Sequence, residues 1–490
     1  MVTLESSAWR RMVTLDSIGM SEDLFFGVAM SGYQVEGGFN GPGEPQNNWA
    51  RLEREGKVEP SGVGVGWWER WEEYLDRAAA IGCNMLRMGL EWPRIEPVEG
   101  EVDEEALTRY AAMVDGCRER GMEPLLTIQH FTHPGWLGED FWLSAEAVDR
   151  FANFSRLAVD RFGGSCRYWV TLNEINALAM ATYIFGLFPP RAKLFDFARS
   201  ETAAGNMLAA HVAAYGIIHA ARPDAVVTTN NAGISLYELD RVFTDVLLAR
   251  SEGIKRDDVD EWLGHRRNEW YSLIEAPDLL ESGIRWLTAT ADRKVKQGAR
   301  RGRDRALDAV FASKHECTLD VYGFDYYDPV TSHHVVPPGS RTAGGRVWNL
   351  ARPFWDDPPN PAGLTTYCRA HAALSPGLPV WIVENGMCTR VRNGRAYPRI
   401  DGWDRQRYIR QNVGALLRAQ DEGVPVGAYL HWSLVDNYEW GSYQPRFGIY
   451  GVDRERGTRV LDTDATGVDA AGTYRQVIEG VRAGDRSVLQ

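Results

Sequence analysis

The sequence predicts a single α/β domain folded as a (β/α)8 TIM barrel with inserted βα loops. Three observations carry this prediction. Eight short apolar runs alternate with amphipathic stretches along the chain. Near-continuous apolar runs suit strands buried on both faces, as in parallel sheets flanked by helices. Run after run also ends in a polar or aromatic cluster, and the C-terminal ends of barrel strands form the functional face of this architecture.

In order, the runs are FFGVAM (25–30), NMLRMGL (84–90), PLLTIQH (124–130), YWVTLNE (168–174), AVVTTNN (225–231), LDVYGFDYY (319–327), PVWIVENG (379–386) and VGAYLHWS (426–433). Helical patterns such as TRYAAMVDGCRERG (108–121) and RYIRQNVGALLRAQDEG (407–423) lie between them. The polar ends are Gln34 and Glu36, Arg87, His130, Asn173-Glu174, Asp325–Tyr327, Glu384-Asn385 and Trp432. Such convergence is hard to explain by turns, because buried polar groups are costly without partners. No Pro/Gly/Ser-rich linker divides the 490 residues. One domain is therefore expected over 21–480, with an N-terminal extension (1–20) and a C-terminal tail (481–490). The stretch from 233 to 314 reads as mainly helical. Its basic run RKVKQGARRGRDR (293–305) reads as a solvated helix end or loop.

A net charge of −13 argues against a nucleic-acid partner. No stretch of 18 apolar residues and no apolar leader core is present, so neither a membrane span nor secretion is expected. The six cysteines are scattered, with no C-x-x-C pair or metal spacing. They read as small buried hydrophobes in a reducing compartment, which predicts a cytoplasmic protein. His333-His334 lacks a Cys or carboxylate at ligand spacing, so no metal is expected. The 18 tryptophans offer flat apolar faces with an N–H donor, a combination suited to sugars.

Glu174 ends the fourth run and Glu384 falls near the end of the seventh. Two carboxyl groups astride a scissile bond are what glycoside hydrolysis needs, about 5–5.5 Å apart in a retaining enzyme. Arg87 is a cation able to keep Glu384 ionised. Tyr327 can hold the same carboxylate by a hydrogen bond. Asn173 can donate to a sugar 2-hydroxyl, a contact that strengthens in the transition state.

At these residues the chain resembles the family 1 glycoside hydrolases, the β-glucosidase family. TLNE (171–174) is similar to that family's acid/base motif and VENG (383–386) to its nucleophile motif. SGYQVEGG, QHFTHPGWL, RMGLEWPRIEP, DRQRY and HWSLVDNYEW also match, across about 21–480. The resemblance implies Glu174 as acid/base and Glu384 as nucleophile, with Arg87 and Tyr327 supporting the latter. It implies Gln34, His130, Asn173, Glu439 and Trp440 around a pyranose, Trp432 as its stacking platform, and Phe447 nearby. A carboxylate at Glu439 would repel a 6-phosphate. The implied activity is a cofactor-free, retaining exo-β-glycosidase, first of all a β-glucosidase, acting on a small-molecule β-glycoside without phosphate. The alternatives are a transglycosylating enzyme, one preferring a galactoside, fucoside, xyloside or diglycoside, and a non-catalytic sugar-binding protein.

The chain departs from the family pattern in places. Ile175-Asn176 replaces the usual Pro and following Trp after Glu174, which places Asn176 on an unusual leaving-group side. Trp355, in RPFWDDPPNPAGL, is the candidate platform there. Asp325 replaces the usual Asn of the strand-six motif. As a neighbour of Arg87 it is expected to push the nucleophile's pKa upward. Phe131-Thr132-His133 replaces the commoner Trp-Asp pair, and EWGSYQPRFG is one residue short.

Overall fold

The computed structural model describes residues 24–191, 195–274, 293–327 (backbone only over 293–301) and 359–490. The main strands are β1 (Phe25–Ala29), β2 (Met85–Gly89), β3 (Glu123–Gln129), β4 (Tyr168–Leu172), β5 (Val226–Thr228), β6 (Asn230–Ala232), β7 (Tyr322–Tyr326) and β8 (Val380–Asn385). A small hairpin, β9 (Arg390–Arg392) and β10 (Arg395–Tyr397), precedes the last of them, β11 (Val426–Trp432). The main strands pair in parallel in the order β5-β4-β3-β2-β1-β11-β8-β7-β6. The two ends of this order, β5 and β6, are halves of one run interrupted at Thr229, so the sheet comes round on itself as the predicted barrel.

Every apolar run named above contains a strand, and the fifth is broken. The break has a local cause. Thr228 Oγ1 donates to the carbonyls of Val321 (2.9 Å) and Thr229 (2.7 Å), and Thr229 Oγ1 donates to that of Leu172 (2.8 Å). These hydroxyls compete with the regular ladder where β4, β5 and β7 meet.

Phe25, Met85, Leu125, Tyr168, Val170, Trp381, Val383, Ala428 and Leu430 fill the barrel interior. Alternate residues such as Phe26, Leu86, Leu126, Trp169, Ile382 and Tyr429 face the surrounding helices. Asp103, Asp404 and Asp469 start three of those helices, each accepting from backbone N–H groups of the first turn. Such caps are each worth about 1 kcal/mol.

One irregularity bears on function. Against β7, Phe324 pairs with Ile382 but Asp325 pairs with Glu384; against β11, Tyr429 pairs with Ile382 but His431 pairs with Asn385. At this step β8 carries one extra residue relative to both neighbours, and against β11 a residue of β11 between Val426 and Ala428 offsets it. A bulge of this kind re-aims the side chains beyond it. Trp381 and Val383 point inward, and regular alternation would send Glu384 outward. The extra residue turns Glu384 into the barrel mouth, where it meets Arg87.

The stretch from 233 to 314 is helical in its described parts: Arg241–Leu248, Val259–Leu273 and Arg293–Ala312. The basic run begins the last of these. Its described members include Arg303, paired with Asp260 at 2.9 Å, and Arg305, which donates to the Ala145 carbonyl at 3.1 Å. That helix crosses Phe197–Ala221 at Gly205 and Gly302, where a Cβ on Gly205 would lie 2.0 Å from the Gly302 oxygen. At the C-terminal end, Arg486 pairs with Asp421 (Nη2 to Oδ1, 2.8 Å). All six cysteines are free thiols. Among the described residues, no helix is long and apolar enough to cross a membrane. Residues 1–20, His333-His334 and Trp355 lie outside the described residues.

Candidate active site

Arg87 sits in the middle of β2 with no solvent exposure. Its guanidinium reaches four partners on three elements. Nε donates to Thr127 Oγ1 on β3 (2.9 Å), and Nη1 donates to Glu384 Oε1 (2.7 Å) and the Val383 carbonyl (3.3 Å) on β8. Nη2 donates to Asn173 Oδ1 (2.5 Å), just beyond β4. The other oxygen of Glu384 accepts from the Tyr327 hydroxyl at 2.6 Å. Burial raises the Glu384 pKa above the ordinary glutamate range, and Arg87 and Tyr327 oppose that rise.

Glu174 begins the turn from β4 into the helix Ile175–Tyr183, with left-handed backbone angles (φ 39°, ψ 62°). Glutamate in that region carries a strain of roughly 1–3 kcal/mol. The surrounding contacts hold it there. Ile175 is fully buried. Asn176 is also fully buried, donates to the carbonyls of Ala232 and Leu239 (both 2.8 Å) and accepts from the Ala232 amide (2.9 Å). Asn176 therefore does not reach a leaving group: its amide is fully engaged with backbone, and it staples the Glu174 turn to the end of β6. Burial, then the nearby Glu384 charge, push the Glu174 pKa up to about 8.

Carboxyl oxygens of Glu174, Asp325 and Glu384 lie within 4.8 Å of one another. Asp325 is fully buried and 3.8 Å from Arg87 Nη1. The Glu384 pKa is raised, with burial as its leading cause, and the Asp325 pKa rises well above normal through burial, Glu384 and Glu174. Glu384 holds Arg87 at 2.7 Å and Asp325 stands 3.8 Å from it.

The other named side chains line the same mouth. Asn173 Nδ2 meets His130 Nε2 at 3.1 Å. Burial, then Arg87, depress the His130 pKa well below the usual value, so this ring is neutral. It lies near-parallel to Trp432 (5.6 Å between centroids) and Trp440 (5.7 Å). Trp440 also packs on Phe131 (4.8 Å), Phe188 and Trp49, so it backs the histidine as well as edging the site. Gln34 Nε2 donates to Glu439 Oε2 (3.0 Å) and Asn437 Oδ1 (3.1 Å). The Trp432 side chain also hydrogen-bonds Glu439. Burial and the Glu384 charge push Glu439 up to about 8, so it is mainly a carboxylic acid at neutral pH rather than the carboxylate expected. Phe447 packs edge-on to Tyr327 at 6.0 Å. Glu36 is turned away and pairs with Arg94 at 2.8 Å.

Two further residues join the cluster. Asn230 on β6 donates to both Asn173 Oδ1 (2.9 Å) and Asp325 Oδ2 (2.5 Å), and Thr127 anchors Arg87. Asn230 occupies the end of the fifth run, which is where the strand-end rule points. Asn385 and Tyr408 are structural: Asn385 binds the Tyr326 carbonyl (2.6 Å) and the Tyr408 hydroxyl (3.0 Å), fastening β8 to β7. Gly386 lets β8 approach β11, since a Cβ there would lie 2.0 Å from the Trp432 carbonyl oxygen.

A buried cation between carboxyls at the C-terminal mouth of a parallel barrel suits glycosyl transfer through a covalent ester. Comparisons agree with this chemistry. The family model described as glycosyl hydrolase family 1 matches residues 17–265 and 302–471. A 6-phospho-beta-galactosidase of Clostridium acetobutylicum is 27% identical, the alignment covering 88% of this chain and 92% of that one. Beta-glucosidase A of Thermotoga maritima is 26% identical, covering 90% and 94%. A beta-galactosidase of Sulfolobus acidocaldarius is 26% identical, covering 87% and 90%. The structure of a beta-glucosidase from Thermotoga maritima in complex with glucoimidazole superposes with a TM-score of 0.69 at 23% identity, covering 94% of this chain and 98% of that one, which supports the fold. The chain belongs to glycosyl hydrolase family 1 and is a retaining O-glycosyl hydrolase.

Proposed function

We propose that this enzyme is an exo-β-glycosidase for a glycone without phosphate, a β-glucoside first of all, with Glu384 as nucleophile and Glu174 as acid/base. The observation that carries the reading is the pair of carboxyls within 4.8 Å, one bonded to Arg87 and Tyr327 and the other without an ion pair among the described residues. Glu384 attacks the anomeric carbon while Glu174 protonates the departing oxygen. Water, relieved of a proton by Glu174, then resolves the ester.

The glycone assignment rests on Glu439 and its surroundings. Among the described residues, the groups acting on its carboxyl are Gln34, Trp432, Glu384 and Glu174, and none is a cation. A phosphate dianion brought there would meet acidic groups with no compensating charge among the described residues. Nitrophenyl β-glucoside is therefore expected to turn over at least about tenfold faster, in kcat/KM, than its 6-phosphate, a difference near 1.4 kcal/mol. A preference for the phosphorylated sugar would overturn the assignment.

The pH dependence follows from the two roles. Activity needs Glu384 ionised and Glu174 protonated. Because the pKa of Glu384 is raised, the acid limb of kcat/KM is expected above the ordinary glutamate range; the alkaline limb is expected near pH 8, where Glu174 loses its proton. Glu174→Gln should remove the alkaline limb and slow substrates with poor leaving groups by roughly 10²–10⁴-fold, with much less effect on dinitrophenyl glycosides.

A further inference from the structure

We propose that Asp325 works as a neutral carboxylic acid and is a positioning residue for Glu174, donating its Oδ1 proton to the acid/base carboxyl. This rests on the reading of Glu174 given above.

The first argument is charge. The carboxyls of Glu174, Asp325 and Glu384 share one buried mouth, and the described cation in contact with them is Arg87. Glu384 takes that cation at 2.7 Å, while Asp325 stands 3.8 Å from it. A second buried anion there would have no close cationic partner among the described residues, and such a group neutralises instead.

The second argument is hydrogen-bond geometry. Asp325 faces Arg87 on β2, Glu174 beyond β4, Asn230 on β6, Tyr327 beyond β7 and Glu384 on β8. Asn230 donates to Oδ2 at 2.5 Å. The Tyr327 proton goes to Glu384 at 2.6 Å, and the near Arg87 nitrogen is committed to Glu384 and Val383. Oδ1 is buried and accepts no hydrogen bond from a donor among the described residues, and the Glu174 carboxyl lies beside Asp325, with carboxyl oxygens of the two within 4.8 Å. Two carboxyls brought together in this way need a proton between them, and Asp325, furthest from help by the cation, is the one to hold it. Burial and the two neighbouring glutamates favour the same state.

The consequence lies in the first chemical step. As the bond to the leaving oxygen breaks and Glu384 bonds to the anomeric carbon, the Glu174 proton passes to that oxygen. Glu174 becomes a carboxylate, and the Asp325 O–H stabilises it. In the second step a proton of the attacking water returns to Glu174, the water oxygen bonds to the anomeric carbon, and the bond to Glu384 breaks. The proton of Asp325 is transferred in neither step.

The test compares Asp325→Asn, which keeps an N–H donor, with Asp325→Ala, which has none. Asp325→Asn is expected to keep the alkaline limb of kcat/KM within about half a pH unit of wild type, since a neutral donor replaces a neutral donor. Asp325→Ala should move that limb upward by about one unit and slow poor leaving groups by about tenfold relative to activated ones. The infrared difference spectrum between wild type and Asp325→Asn at neutral pH should show a lost carboxylic-acid C=O band. A larger shift of the Asp325→Asn limb, an Asp325→Ala limb that stays or falls, or loss of a carboxylate band instead would overturn the proposal. The spectrum decides if the alanine variant does not fold. Failure of the Glu174 assignment would look different: Glu174→Gln would then leave poor leaving groups unaffected.

Discussion

Glu384→Gln should reduce hydrolysis of nitrophenyl β-glycosides by at least about 10⁴-fold, the scale expected when a member of a concerted unit is removed. The amide keeps the volume and can still accept from Arg87 Nη1, which donates to Glu384 at 2.7 Å. What it lacks is an electron pair able to form the glycosyl ester. Folding should survive, so near-wild-type thermal unfolding with lost turnover is the expected combination. A 2-fluoroglycoside that traps the intermediate should label Glu384 in the wild-type protein. Residual activity above a few per cent of wild type, or a label on any other residue, would remove Glu384 from the nucleophile's role.

Arg87→Met should be nearly as severe and should act on stability as well. The guanidinium is fully buried and joins β2 to β3, β8 and the turn after β4. Without it, Glu384 and Asn173 lose their charged donor together. Breaking one side of a buried ion pair costs about 3–5 kcal/mol. The denaturant midpoint should fall accordingly. Glu384 opposes its own burial chiefly through Arg87, so its pKa should rise further and the acid limb of kcat/KM should move to higher pH. Arg87→Lys restores charge but not the fork that reaches several elements at once, so partial rescue of the pH profile without full rescue of stability is expected. An unmoved acid limb in Arg87→Met would show that the guanidinium is not what keeps Glu384 ionised.

Much of this architecture was legible because near-continuous apolar runs alternate with amphipathic stretches along the chain. Apolar runs such as PLLTIQH mark strands buried on both faces, and the polar residue closing each run marks the mouth. That rule alone brings His130, Asn173 and Glu174 to one place. What stayed hidden depends on contacts between distant elements. Asn230 matters because barrel closure sets β6 beside β7, and no local pattern announces closure. Asn176 occupies a position the family pattern gives to the leaving-group side, yet its side chain is bound to backbone near β6. The left-handed turn at Glu174 is held by that packing, and nothing in T-L-N-E encodes it. Which carboxylate lies nearer Arg87 is likewise a distance only the folded chain defines.

The extra residue in β8 sets the chain's tolerance to change in length. Loops that leave the barrel mouth can lengthen or shorten at little cost, because closure entropy grows slowly with loop size. β8 has no such freedom. Removing Val383, the residue between Ile382 and Glu384, would make the pairing with β7 regular. Yet the same deletion would take Val383 out of the barrel interior and draw Glu384 about one residue, roughly 3.3 Å, along the strand, away from its contacts with Arg87 and Tyr327. Length variation among functional relatives should therefore collect in the connections and be absent from this strand, and a deletion scan through 380–385 should yield folded but inactive protein where the same scan through 390–397 yields active enzyme.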